Sequence, residues 1–124
     1  MTSRTGPTRS YLAVPAHRGR LVQSAAASAA DAVFLDLEDA VPPAEKDNAL
    51  AVAIDALGAL DWGRKTASVR LNAIDSSSIG REVKSLASVP RLDAVIIPKA
   101  ERPSDVVPLS WLAPAASWRQ SFLT

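Results

Sequence analysis

The 124-residue sequence contains no cysteine and only one histidine, His17. Disulfide bonds, thiolate catalysis and cysteine-based zinc sites are therefore excluded, and a reducing compartment is indicated. No apolar run approaches the roughly 20 residues that span a bilayer, and the N-terminal stretch MTSRTGPTRS lacks the apolar core of a secretory signal. We therefore expect a soluble cytoplasmic protein that does not bind membranes.

The sequence also lacks an excess of charge of either sign. Its 14 Lys and Arg residues are interspersed with 13 Asp and Glu residues, which gives a net charge of +1 at pH 7. Because no long block of like charge is present, we expect neither a nucleic-acid partner nor a polybasic membrane patch. The length fits one modest domain.

What the sequence does contain is an alternation of short β-like and helix-like stretches, which is typical of parallel βαβ units. Apolar and β-branched residues predict strands at 10–15, 32–37, 66–72 and 93–101. The segments between them predict helices over 20–30, around Leu50, Ile54 and Leu57, and through Glu82, Val83 and Leu86. The predicted fold class is therefore α/β with a parallel sheet.

Helix boundaries are indicated by proline and by short polar residues. Pro42 and Pro43 suit a loop followed by a helix start, and residues 75–78 offer N-caps for the third helix, which Pro90 ends. Ser104 offers a cap for a fourth helix.

Three carboxylates stand where the second predicted strand ends: Asp36, Glu38 and Asp39. Because side chains alternate along a strand, Asp36 and Glu38 share the face opposite the apolar one, and the third strand repeats this division. In a parallel barrel the functional residues gather at the C-terminal rim of the strands. The residues expected to converge there are Glu38, Asp39, Arg70, Asn72 and Lys99.

Structural roles could explain the same residues. Asp39 could favour the start of the second helix, where the macrodipole attracts anions. Arg70 could be a structural ion-pair partner of the carboxylates, and Lys99 could be a rim lysine whose stem only packs. Asp36 and Glu38 are harder to explain in this way, since burying two neighbouring carboxylates is costly without compensation.

Three basic residues follow the first predicted strand: His17, Arg18 and Arg20. His17 fits an ordinary polar loop residue better than a catalytic base. Arg18 and Arg20 lie where the first helix begins, so they could add positive charge to a phosphate-binding helix N-terminus or could simply be exposed arginines.

Four blocks, in order, resemble the N-terminal half of the HpcH/HpaI aldolase and citrate lyase beta-subunit (CitE-like) family: RSYLAVPAHRGRL, DAVFLDLEDAVPPAEKDNA, VRLNAID and DAVIIPKAERPSDV. The resemblance covers about residues 9–107. It implies a TIM-type barrel that uses a divalent cation, usually Mg²⁺, to make or break a carbon–carbon bond next to a 2-oxo acid. Several members act on CoA thioesters, including citryl-CoA and malyl-CoA.

The resemblance also implies roles for the rim residues. Arg70 matches the arginine that anchors the substrate carboxylate. From their expected place on the same rim, Asn72 and Lys99 are also assigned to substrate binding. Glu38 and Asp39 match acidic residues near the metal, which act through water and not as direct ligands, with Asp36 beside them. Arg18 and Arg20 match the segment associated with CoA phosphates.

The extent of the sequence predicts a truncated barrel, because a (β/α)₈ barrel needs about 250 residues. We expect about four βα units, a half-barrel at residues 9–107, and a divergent C-terminal tail at residues 108–124 without a fifth strand. Pro108 and Pro114 interrupt that tail where a fourth helix should continue. A truncated or frameshifted product would explain the tail, and a diverged in-frame helix is the alternative.

Truncation has two expected consequences. The family's direct metal ligands, from the fifth and sixth strands, have no counterpart, and an uncovered half-barrel favours a homo-oligomer. Two functions therefore stay open: a Mg²⁺-dependent carbon–carbon lyase or aldolase of the CitE-like type, or a non-catalytic remnant or interaction module that lacks the metal ligands.

Overall fold

Strands and helices alternate along the chain, as predicted. The computed structural model describes residues 10–98 and the backbone of residues 119–123. Its elements are β1 Tyr11–Pro15, α1 Gly19–Ala27, β2 Ala32–Asp36, α2 Lys46–Ala59, β3 Thr66–Arg70, α3 Ile79–Leu86, β4 Ala94–Pro98 and β5 Arg119–Leu123. A 3₁₀ turn at Pro43–Glu45 leads into α2, and Pro43 suits that position because its fixed φ matches the first helical turn.

The sheet is parallel throughout and its order is β1-β2-β3-β4-β5. Each strand pairs with the strand before it in sequence, so the chain always advances in the same direction across the sheet. Right-handed crossovers then place successive helices on the same face. This is the winding of a (β/α) barrel, whereas the order of a doubly wound sheet reverses.

The hydrophobic core lies between one face of the sheet and the helices. Core residues alternate along β2 and β3: Val33, Leu35, Ala67 and Val69. Each of the helices α1, α2 and α3 contributes to the same core, through Val22, Ala25, Leu50, Ala53, Leu57, Val83 and Leu86. The predicted strand parity is therefore confirmed. The opposite face, which we call the second face, carries Ala13, Phe34, Asp36, Ser68 and Arg70.

The helices begin and end close to the predicted positions. The apolar residues of α2 recur at helical spacing, with Leu50 and Leu57 buried. Ser78 occupies the predicted N-cap position of α3, but its hydroxyl donates to Glu82 Oε2 (2.7 Å) and makes no side-chain cap hydrogen bond. Within residues 10–98, no helix combines the length and the apolar character required to cross a bilayer.

A buried ion pair ties together the amino-terminal ends of β3 and β4. Arg91, which is 8% exposed, donates to Asp93 Oδ2 (2.8 Å) and to the carbonyls of Gly63 (3.1 Å) and Lys65 (2.7 Å). Asp93 Oδ2 also accepts from the N–H of Ala67 (2.8 Å). Gly63 adopts φ 57°, where a residue without Cβ is favoured. This end of a barrel sheet serves stability.

One expectation about the C-terminal segment is wrong. The sequence predicts no fifth strand, but Arg119–Leu123 pairs in parallel with β4 along its whole length. The physical reason is that the far edge of β4 presents N–H and C=O groups that a further strand can satisfy. The predicted fourth helix with Ser104 at its start, and the boundary between residues 107 and 108, lie outside the described residues and stay predictions.

Candidate active site

The carboxyl ends of β2 and β3 bring together the acidic and basic residues predicted to converge. Asp36 ends β2 and is the register partner of Arg70, which ends β3. Because register partners in a parallel sheet point to the same face, the two side chains meet on the second face. Main-chain hydrogen bonds continue beyond both strands, from Leu37 N to Arg70 O (3.0 Å) and from Leu71 N to Ile96 O (3.0 Å).

Arg70 and Asp36 form a bidentate ion pair. Arg70 Nε donates to Asp36 Oδ1 (3.0 Å), and Arg70 Nη2 donates to Asp36 Oδ2 (2.5 Å). The same two oxygens accept from the N–H groups of Glu38 (2.8 Å) and Ala40 (3.2 Å). Asp36 therefore fixes both the guanidinium and the start of the loop that follows β2.

The pKa values of both partners are shifted. Burial by itself would raise the pKa of Asp36, but the hydrogen bond from Arg70, those from the Glu38 and Ala40 N–H groups, and the charge of Arg70 hold it below 3.8. The hydrogen bond to Asp36 raises the pKa of Arg70, although burial opposes this, and the charges of Asp36, Glu38 and Asp39 add to the rise. The site therefore holds its ion pair at neutral pH.

Glu38 lies beside this pair, as predicted from strand parity. Its Oε1 is 3.9 Å from Arg70 Nε, and its side chain is 10% exposed. Asp39 is exposed on the loop, and its charge still acts on Arg70. Of the predicted residues, the structure thus brings Asp36, Glu38 and Arg70 into one group with Asp39 at its margin.

One end of the Arg70 guanidinium points away from Asp36. Asp36 occupies the edge formed by Nε and Nη2. Among residues 10–98, no group accepts a hydrogen bond from Nη1. The guanidinium carbon lies 5.5 Å from the centre of the Phe34 ring, which supports it from one side. The end formed by Nη1 and Nη2 can therefore donate to a planar anion such as a carboxylate.

A second polar group, formed by Lys46, Asn72 and Glu82, lies next to the first. Of these three residues, the sequence predicted only Asn72. Lys46, the first residue of α2, donates from Nζ to the carbonyls of Leu37 (2.9 Å) and Glu38 (2.6 Å) and to Asn72 Oδ1 (2.7 Å). Asn72 donates to Glu82 through its backbone N–H (2.9 Å) and its Nδ2 (2.7 Å).

One feature of the sequence could have predicted part of this second group. Glu82 is 2% exposed and lies next to Val83 on the buried side of α3. An acidic residue on the apolar face of a helix indicates a buried hydrogen-bond partner, because an unpaired carboxylate there is costly. No comparable feature marks Lys46 in the sequence, because its contacts depend on how α2 packs against the strand ends.

Within residues 10–98, the three basic residues after β1 form no hydrogen bond or ion pair with either of these groups. Arg18 is the N-cap residue of α1, Arg20 lies in its first turn, and both are exposed. His17 is half-buried, and its Nδ1 has no partner in that part of the chain. Lys99 lies outside the described residues.

The described residues do not form a complete metal site. Within residues 10–98, no three His, Cys, Asp or Glu side chains are placed to hold an ion. Both oxygens of Asp36 are engaged, which leaves Glu38 and Asp39 as the carboxylates nearest Arg70. Since Mg²⁺ keeps several of its waters, this donor set fits contacts through water and not direct ligation.

Comparisons with known proteins find relatives that match most of the chain. A family model described as HpcH/HpaI aldolase/citrate lyase matches residues 9–115. The L-malyl-CoA/beta-methylmalyl-CoA lyase of Cereibacter sphaeroides is 43% identical over 111 residues, which are 88% of this chain and 35% of that protein. The (3S)-malyl-CoA thioesterase of the same organism is 34% identical over 114 residues, or 92% of this chain and 40% of that protein.

A solved structure gives the same result at the level of fold. The citrate lyase beta subunit of Mycobacterium tuberculosis, complexed with oxaloacetate and magnesium, superimposes with a TM-score of 0.72 at 35% identity. The match covers 92% of this chain and 46% of that one. The chain therefore spans less than half the length of each of these proteins.

Proposed function

Because the chain belongs to the HpcH/HpaI aldolase/citrate lyase family, we propose that it provides the substrate-anchoring half of the active site of a Mg²⁺-dependent carbon–carbon lyase or aldolase. The proposed substrate is a 2-oxo acid or its CoA-thioester adduct, of the citryl-CoA or malyl-CoA class. Two similar proteins support this substrate class. One is named as a lyase of malyl-CoA, and the other was solved in complex with oxaloacetate and magnesium.

The proposal rests on the way in which the Arg70 guanidinium is held. Asp36 fixes one edge of the guanidinium, and the other end keeps its donors at the carboxyl end of β3, next to Glu38. A guanidinium held in this way can bind a carboxylate in one orientation, because its two donors lie in one plane. It does so at low entropic cost, because little side-chain freedom is left to lose. A 2-oxo acid offers such a carboxylate next to the carbonyl at which the bond is made or broken.

The residues of this chain would then have separate roles in the reaction. Arg70 neutralises and orients the carboxylate, so that the adjoining carbonyl is presented at a fixed position. Glu38 and Asp39 accept hydrogen bonds from water around the cation on the same rim. A bound Mg²⁺ supplies polarisation of the keto oxygen and stabilisation of enolate charge.

CoA binding is proposed for Arg18 and Arg20. Both side chains are exposed at the start of α1, a position where a phosphate meets unpaired backbone N–H groups as well as the two cations. Lys99 is proposed to assist in binding the 2-oxo acid directly. Asn72, whose amide is engaged by Lys46 and Glu82, is proposed to assist indirectly.

A non-catalytic interaction module is the second candidate. It is favoured by one observation: within residues 10–98, no three potential metal-binding side chains come together. Such a module would keep the fold and the Arg70–Asp36 pair and would need neither Mg²⁺ nor a 2-oxo acid.

Calorimetry on the 124-residue chain separates the two candidates. Oxaloacetate is titrated with and without Mg²⁺, into the wild type, Arg70→Lys and a control, Arg81→Lys, whose arginine pairs with Asp47 at the surface. The lyase proposal expects binding that requires Mg²⁺ and weakens roughly tenfold or more in Arg70→Lys, since lysine cannot make the bidentate contact. Absence of binding, or equal binding by all three proteins, would favour the interaction module.

A further inference from the structure

We propose that Lys46, Asn72 and Glu82 are positioning residues, which together form a clamp that holds the ends of β2 and β3 so that Arg70 and Glu38 face the same point. The catalytic meaning of this clamp rests on the function proposed above. Its structural basis is a continuous set of hydrogen bonds that runs from α2, through the two strand ends, to α3.

The ammonium group of Lys46 is fully engaged. A lysine ammonium has three donors, and these meet the carbonyls of Leu37 and Glu38 and the amide oxygen of Asn72. With all three donors taken by these acceptors, the ammonium has no free N–H to offer a ligand. Its effect is to join the loop after β2 to the end of β3.

The amide of Asn72 is fixed in one orientation. Lys46 can only donate and the carboxylate of Glu82 accepts, so Oδ1 must face Lys46 and Nδ2 must face Glu82. Asn72 is 7% exposed, which leaves little of it open to a ligand. Asn72 therefore connects a cation to an anion across the end of β3.

Glu82 anchors the other side of the clamp. Its carboxylate is 2% exposed and accepts from the Asn72 N–H, from Asn72 Nδ2 and from the hydroxyl of Ser78. Burial of a carboxylate is costly without such partners, and their presence makes its position well defined. Asn72 follows Arg70 by two residues, so Glu82 also fixes the backbone that directs the guanidinium.

The path from Lys46 to the ion pair is short. Lys46 holds the two carbonyls that flank the Glu38 backbone N–H, and this N–H donates to Asp36 Oδ1. The same oxygen accepts from Arg70 Nε. Release of the two carbonyls would therefore loosen the carboxylate that orients Arg70.

The test measures the Arg70 Nε–H directly, by NMR exchange with water in the ¹⁵N-labelled 124-residue chain. The variant Lys46→Met keeps most of the stem and removes the ammonium, and Lys84→Met on the exposed side of α3 is the matched control. The indole N–H of Trp62, buried and bonded to Ala56 O, serves as an internal reference. Glu82→Gln is measured in parallel, so that the clamp is still tested where Lys46→Met does not fold.

The clamp predicts that exchange of the Arg70 Nε–H accelerates about tenfold in Lys46→Met and Glu82→Gln while that of the Trp62 indole does not change, because the opening is local. Lys84→Met should match the wild type at both protons. Equal acceleration at both protons would show that the three residues only stabilise the fold, and unchanged exchange at Arg70 would show that they do not position it. Either result overturns the proposal.

Oxaloacetate titrations in the presence of Mg²⁺ complete the test. We expect both clamp variants to bind roughly tenfold more weakly than the wild type, as is usual when a residue that orients a binding group is lost. A wild type that does not bind oxaloacetate would refute the proposed function, and the exchange measurement would still decide on the clamp. Wild-type affinity in both variants would overturn the clamp and leave the proposed function in place.

Discussion

Arg70 and Asp36 meet edge to edge, with Nε 3.0 Å from Oδ1 and Nη2 2.5 Å from Oδ2. They are 34 residues apart in sequence and are register partners on adjacent strands. Their side chains are 17% and 3% exposed, so most of the interaction is shielded from water. The pair therefore contributes to the stability of the fold as well as to the shape of the site.

Removal of the cation from this pair should destabilise the protein. We expect Arg70→Met to lower the free energy of unfolding by about 2–3 kcal/mol, because Asp36 is left buried without its charged donor. Urea denaturation measures the change. The control Arg81→Met removes the cation of a surface pair and should change the free energy of unfolding by less than about 1 kcal/mol. Equal losses in the two variants would contradict this account.

The same pair predicts how stability depends on pH. The pKa of Asp36 is lower in the folded protein than in the unfolded chain, so its contribution is complete above the unfolded value of about 3.9. That contribution is lost as the pH falls from there through the lower, folded pKa. Urea denaturation at a series of pH values should show this decline in the wild type and in Asp55→Asn, an exposed control. A decline of the same size in Asp36→Asn would show that other carboxylates cause it.

Comparison of Arg91 with Arg70 should separate effects on stability from effects on binding. Arg91 lies at the amino-terminal ends of β3 and β4 and holds two carbonyls and Asp93. We expect Arg91→Met to lower the free energy of unfolding by about 2 kcal/mol, since buried acceptors lose a charged donor. Calorimetry should show oxaloacetate affinity unchanged in this variant, in contrast to Arg70→Lys. A comparable loss of affinity would mean that binding simply follows stability.

The second face of the sheet predicts self-association. Tyr11 is 64% exposed on β1, which is at one edge of the sheet in the described part of the chain. Exposed apolar residues beside an unpaired edge favour pairing with another copy. Size-exclusion chromatography with light scattering should show dimers or larger species, and Tyr11→Lys should shift the distribution towards monomer. A wild type that elutes as a compact, stable monomer would refute this prediction.

Strand parity correctly predicted that Asp36, Glu38 and Arg70 lie close together on one face. Alternation along β2 and β3 placed Asp36, Glu38 and Arg70 on one face, and the structure brings them within ion-pair distance. The prediction worked because the period of a strand is two and parallel register aligns neighbouring faces. The apolar spacing of α2 likewise marked the helix that the structure shows.

The rest of the site depends on packing that no local pattern contains. Lys46 reaches the end of β2 only because of where α2 packs along the sheet. Helical periodicity does not predict that position. Pairing of β5 was missed for a similar reason, since it depends on the free edge of β4 and not on the residues of the tail alone. The functional roles of all the predicted site residues stay predictions: Arg18, Arg20, Asp36, Glu38, Asp39, Arg70, Asn72 and Lys99.

The order of the strands has a consequence for synthesis on the ribosome. Because β2 pairs with β1 and β3 pairs with β2, each strand finds a neighbour that has already been made. Assembly can therefore proceed from the amino end as the chain emerges, without waiting for distant segments. Arg70 and Asp36 would meet as soon as the third strand leaves the exit tunnel, so the proposed anchor for a substrate carboxylate would be among the first tertiary contacts of the nascent protein to form.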